Sequence, residues 1–182
     1  MQTYKNDVLG FNISYPDHWS VVPAAWIKKF MGRAAGTSEK LSECLAKDGQ
    51  PFLVAHDPSA PVHVAIPSVK CQAYIPAAIA AVGGITGILS LISEQSQQAF
   101  PDFKVLDYVP ECLIAGVKGA RMATSMTVLN PEGEEFHGKS DFYFLPTSKF
   151  VFLVAVSGTS DPKFRPEQEL MNIVRSIRLE HT

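Results

Sequence analysis

The side chains best suited to chemistry in this 182-residue chain are three cysteines, Cys44, Cys71 and Cys112, and the histidines His18, His56 and His63. A thiol becomes a nucleophile when a nearby imidazole or cation favours its thiolate. Cys71 or Cys112 with His56 or His63 is therefore the pairing a small hydrolase or thiol-dependent enzyme would use. Asp17, His18 and Ser20 hold the residue types of a hydrolytic triad, but side chains so close along a chain seldom aim at one another, and a triad is defined by geometry. His56 and His63 can face each other across a hairpin, yet two histidines without a third thiolate or carboxylate make an incomplete zinc set. An odd number of widely spaced cysteines fits neither a disulfide framework nor a zinc ribbon, so buried, reduced, inert thiols are expected. The chain also has no phosphate-cradling glycine loop, nucleophile elbow, His-Glu-x-x-His or Cys-x-x-Cys. The expectation is a protein that is not an enzyme, with no catalytic residue, metal or cofactor.

Composition narrows the partners. Sixteen basic and eighteen acidic residues give a net charge of -2 with no basic run, which removes the electrostatic footprint of a nucleic-acid binder. The length and 46% hydrophobic content suit one domain spanning 1–182. No basic n-region followed by an apolar run opens the chain. As written it would stay in the cytoplasm, and an exported protein whose leader had been removed would look the same.

The elements that must position any site are organised around 140–179. Phe142–Leu145 and Phe150–Val156 are aromatic and β-branched, and Pro146-Thr147-Ser148-Lys149 supplies the turn of a hairpin. Their apolar runs are nearly continuous, so both faces should be covered. Pro166, Glu167 and Glu169 suit a helix start and Arg175 and Arg178 its end, while Leu170, Ile173, Val174 and Ile177 share one face. Earlier strands are expected at Thr3–Lys5, Phe11–Tyr15, Phe52–His56, Val62–Ile66 and Lys104–Val109, with a Gly116–Gly119 turn leading to a strand through Ala120, Met122, Thr124, Met126 and Val128. That strand, the next through Phe136 to Leu145 and the one after form a meander. Trp19 follows a Pro16-Asp17-His18 turn and should fill an end of the core. Two short helices are expected within 23–50, around Trp26, Ile27 and Phe30 and around Leu41, Cys44 and Leu45. The fold class is α+β, a central antiparallel sheet flanked by helices on both faces as an α/β/α sandwich.

The unusual stretch is 71–93, which carries no charge. About 20 apolar residues would cross a bilayer, but Pro76 and glycines 83, 84 and 87 interrupt this run, and the sheet needs it as cover, so no membrane span is expected. On a helix from Pro76 or Gly84 to Ala99, Val82, Ile85, Ile88, Leu89, Ile92 and Phe100 form the sheet-facing side. Ala80, Gly83, Gly84, Gly87 and Leu91 lie opposite. Exposed helical glycines cost about 1 kcal/mol each relative to alanine, which points to another backbone approaching that face, from a protein partner or a second copy. The competing reading makes 76–84 a loop whose glycines serve turn geometry, with the helix starting near Thr86.

Four segments resemble the PsbP-like fold family. Gly10-Phe11-Asn12-Ile13-Ser14-Tyr15-Pro16-Asp17-His18-Trp19 is similar to its opening strand and Pro-x-x-Trp corner. Pro101–Val105 and Ala115–Arg121 resemble its middle, and Glu169–Leu179 its last helix. The family includes photosystem II extrinsic subunits, a Ran-binding nuclear import factor and uncharacterised bacterial proteins, most of which bind partners rather than catalyse. The resemblance implies a non-enzymatic, partner-binding or accessory domain. The Ala- and Gly-rich stretch from Pro76 to Gly87 departs from the family's usual charged covering helix.

Overall fold

The computed structural model describes residues 1–22, 51–61, 64–129 and 133–180. The helices expected within 23–50, Cys44, Val62, His63 and most of the 130–134 loop lie outside the described residues.

The order of elements is β1 (Gln2–Asn6), β2 (Phe11–Tyr15), β3 (Ser20–Val21), β4 (Leu53–His56), β5 (Ser68–Tyr74), α1 (Pro76–Ala81), α2 (Gly84–Ala99), β6 (Lys104–Ile114), β7 (Val117–Leu129), β8 (Glu135–Pro146), β9 (Val151–Thr159), α3 (Glu167–Arg175) and β10 (Arg178–Leu179). The fold is α+β. Among the described residues, β3-β4-β5-β9-β8-β7-β6 form one antiparallel sheet and β1-β2-β10 a smaller one.

The expected meander from β7 through β9 is present, and β6 extends it. Between β8 and β9, Thr147 Oγ1 accepts from the Phe150 amide and donates to the Phe150 carbonyl, closing the turn. The β6–β7 turn is tighter than the Gly116–Gly119 reading, because Ala115 and Gly116 both take positive φ (53° and 79°), the geometry of a two-residue hairpin loop.

The alternating faces of the large sheet divide the core. On one face Val69, Cys71, Tyr143, Leu145, Phe152, Val154 and Val156 pack with Leu170, Ile173, Val174 and Ile177 and with Phe11, Ile13 and Tyr15 of the small sheet. On the other, Phe144, Leu153, Ala120 and Met122 pack beneath Ile79 of α1 and Ile88 and Leu89 of α2. The first face is thus covered by a helix and a second sheet together.

Two expected boundaries move. The last helix stops at Arg175, because the Ser176 hydroxyl donates back to the Ile173 carbonyl at 2.6 Å and accepts from the Ser14 amide at 2.8 Å. That ties the chain to the free edge of β2, where Arg178 and Leu179 pair with Asn12 and Phe11. The strand expected at Val62–Ile66 is not seen at 64–66. The extended run is instead Ser68–Tyr74, whose alternation buries Val69 and Cys71 against the core. Cys71 therefore belongs to a central strand, and the uncharged stretch turns helical only at Pro76.

Candidate functional site

The glycine-bearing face of 76–91 forms two helices meeting at a tight corner. Gly83 and Gly84 take left-handed φ of 91° and 75°, which ends α1 and starts α2 at little steric cost. Gly87 has a different reason. A Cβ there would lie 1.7 Å from the Val82 carbonyl oxygen, so the backbone approaching this glycine is the chain's own corner. Ala80 and Gly83 are exposed, and Gly84, Gly87 and Leu91 are half-buried. The opposite side behaves as its spacing predicts, with Ile88 and Leu89 buried and Val82, Ile85 and Ile92 packed against the sheet.

The neighbouring surface is more distinctive. Between α2 and the edge strand β6 runs a groove of about 420 Å³. Leu89, Met122, Val105 and Tyr108 form its apolar lining, and Thr86, Ser90, Ser93, Glu94 and Gln97 its polar rim on the helix. The rim residues recur at helical spacing, so one stripe of α2 faces the edge strand. Val105, Leu106, Tyr108 and Leu113 of β6 are 44%, 53%, 43% and 72% exposed. Sequence reasoning located this strand but missed its exposure, since nothing local marks a strand as the last in its sheet.

The pairings of Cys71 and Cys112 with His56 do not assemble, and those with His63 lie outside the described residues. Cys71 is fully buried and burial pushes its thiol well above the ordinary range, so it carries no thiolate. Its cross-strand neighbour is Leu53, three residues from His56 and on the opposite face. His56 lies across from Ser68 and Ser20 rather than from another histidine. Cys112, on β6, is half-buried and its thiol is also raised by burial. Trp19 is buried, as its corner position predicts, and its indole donates to Glu169 Oε1 at 3.1 Å. His18 stands 3.8 Å from Asp57 and 4.0 Å from Glu169, beyond hydrogen-bonding distance, and Asp17 instead meets the N-terminal amine.

Two polar constellations were not foreseen. Asp107, Arg121, Asp141, Arg165 and Glu167 alternate in sign along one network, with the Asp141–Arg165 pair buried at its centre and 3.0 Å apart. Burial alone would raise the Glu167 carboxyl, but the Arg165 hydrogen bond and charge hold it below the usual range. At a second cleft of about 500 Å³, Asp102 is bound by the Thr127 hydroxyl and amide, which hold its carboxyl low. The single hydroxyl proton of Thr127 goes to that carboxylate, so the His137 Nδ1 contact at 2.9 Å has the imidazole as donor. The histidine is thereby in the wrong state to act as a base on Thr127. Among the described residues no group of three metal-ligating side chains is suited to a metal ion, and no helix is long and apolar enough to cross a membrane.

No protein-family model and no curated protein matches the sequence. Solved structures do match. Cyanobacterial PsbP (CyanoP) from Synechocystis sp. PCC 6803 aligns over 98% of this chain and 91% of its own, with a TM-score of 0.57 and 12% identity. LpqN of Mycobacterium tuberculosis, involved in cell envelope biogenesis, aligns over 93% and 82%, with a TM-score of 0.50 and 12% identity. A Bacteroides thetaiotaomicron protein matches over 97% of this chain at 9% identity with a TM-score of 0.48, and the chain spans 47% of that protein's length.

Proposed function

On a chain with the PsbP-like fold, we propose a non-enzymatic accessory domain that binds a protein partner through the groove between α2 and β6. In this reading α1 and α2 form one outer layer of a three-layer α/β/α arrangement, and the partner completes the uncovered margin of the sheet. The observation that carries it is the run of apolar side chains on β6, where Val105, Leu106, Tyr108 and Leu113 stand exposed beside an apolar groove. An apolar floor with a polar rim is the layout of a protein-recognition patch. The buried, protonated Cys71 supports the same reading against the thiol-enzyme alternative, which requires an accessible thiolate beside an imidazole.

The close approach of Val82 accounts for Gly87 within the chain, and the docking surface is taken to be the α2–β6 groove rather than the Ala80–Leu91 face. A photo-crosslinking amino acid placed at Leu106 or Tyr108, in the intact protein expressed in its source cells, tests the proposal. A discrete crosslinked polypeptide from those positions, absent from a control at exposed Ser148, is expected. No product, or the same products from Ser148, would sink it.

A further inference from the structure

The face of the large sheet beneath α1 and α2 is apolar only in part. The strand register lays a polar row across it: Ser20 is opposite His56, His56 opposite Ser68, Ser68 opposite Ser157, Ser157 opposite Ser140, and Ser140 opposite Thr124. Thr124 and Ser140 are buried, and the Ser140 and Ser157 hydroxyls lie 2.8 Å apart. His56 Nδ1 is buried without a hydrogen-bond partner.

Lys70 joins this row. It lies two residues after Ser68 on the same face of β5, between Val54 and Ala155 of the flanking strands. Lys70 is half-buried there, an unusual place for a lysine because burying an ammonium is costly. Among the described residues it forms no ion pair. Burial pushes its pKa down.

We propose that Lys70, with the hydroxyls of Ser68 and Ser157 and the imidazole of His56, binds a small oxyanion of the carboxylate or phosphate class. Lys70 supplies the charge and three donors. The Ser140–Ser157 pair has two hydroxyl protons and needs one for its mutual bond, which leaves the other for an anion. His56 Nδ1 becomes a donor when it carries the ring proton, and an anion gives that buried atom the partner it lacks. Neighbouring strands about 4.8 Å apart and same-face residues about 6.6 Å apart along a strand bring these donors within one lysine length. The site is separate from the α2–β6 groove and does not depend on it.

The test is titration of the full chain with inorganic phosphate, and separately with acetate, at ionic strength held constant with sodium chloride. The readouts are the NMR resonances of Lys70 Cε and His56 and the melting temperature. Saturable shifts at both residues are expected, with a rise in Tm of about 3–6 °C at tenfold the apparent Kd. Lys70→Met keeps the packing of the stem and should abolish both responses, and Ser157→Ala should weaken binding several-fold. Saturation by phosphate alone or acetate alone assigns the class. Non-saturating shifts, or the same response in Lys70→Met, would overturn the site.

Discussion

Replacing Gly87 by alanine separates the two explanations for the glycines on α2, because they predict opposite signs. In a solvent-facing helix the change stabilises by about 1 kcal/mol, since alanine has the higher helix propensity. Here the new methyl would lie 1.7 Å from the Val82 carbonyl oxygen and 2.7 Å from its carbon, against a practical limit of 3.0 Å. The atoms to be displaced are backbone, so no rotamer change relieves the overlap. The α1–α2 corner must open by more than about 1 Å, in the range where overpacking costs about 1–3 kcal/mol.

The Gly87→Ala variant should therefore lose about 1–2 kcal/mol net, and its Tm should fall by about 2–8 °C. Ser90→Ala, exposed on the same helix, is the control and should be neutral or slightly stabilising. Thermal unfolding of the three proteins, with sedimentation of each, makes the comparison. A Gly87→Ala protein more stable than the parent would refute the close approach within the chain. If it also lost an association that the parent shows, the approaching backbone would belong to a partner.

Leu91→Lys should leave stability within about 0.5 kcal/mol if that half-buried side chain faces solvent, and sedimentation over a hundredfold concentration range shows whether it breaks an association. Trp19→Ala should cost about 3–5 kcal/mol in denaturant unfolding, because it empties a buried aromatic site and strands the Glu169 acceptor. Asp141→Asn should cost about 3–5 kcal/mol, since it removes the buried carboxylate charge shared by Arg121 and Arg165 and leaves the buried Arg165 guanidinium only the exposed Glu167. The depressed Glu167 carboxyl contributes stability that is complete above its ordinary 4.5 and lost as pH falls through the lower folded value, so Glu167→Gln should flatten Tm against pH in that acid window. Cys71 should resist thiol labelling until the protein unfolds, and the intact mass should be unchanged by reductant.

What the sequence made legible is what periodicity encodes. The stripe of Leu170, Ile173, Val174 and Ile177 and the continuous apolar runs of β8 and β9 announce their burial, because spacing along an element fixes which side chains share a face. The Trp19 corner and the α2 side facing the sheet were readable for the same reason. The end of α3 was not, because Ser176 stops it by bonding to Ser14, 162 positions away. The 64–66 segment alternates like a strand, but the pairing partner it would need is taken by Ser68–Tyr74. The buried network escaped notice because Arg121, Asp141 and Arg165 lie far apart in the chain and meet only through the β7–β8 register and the loop before α3. Gly87 looked anomalous since a helical wheel does not show that the preceding helix folds back on it.

The free edge of β6 bears on how a partner can dock. The outer edge of this eleven-residue strand, unpaired among the described residues, would ordinarily invite another strand. Here the pairing with β7 slips between Val105 and Asp107 and again between Val109 and Cys112. Pro110, at the second irregularity, has no amide to donate, and Lys104, Asp107 and Glu111 place charges along the same strand. The slips divide the strand into regular runs of two or three residues, Lys104–Val105, Asp107–Val109 and Cys112–Ile114, each too short for a stable added strand. The irregularities also turn apolar side chains toward solvent, leaving Leu106, the extra residue of the first, 53% exposed. Recognition at this edge must then run through side chains: Val105 and Tyr108 in the groove wall, Leu106 beside them and the polar stripe of α2 opposite. An edge closed to backbone pairing but open to side-chain packing favours a shaped, folded surface over an extended peptide, because a folded partner presents its apolar anchors without needing the main-chain bonds this edge withholds.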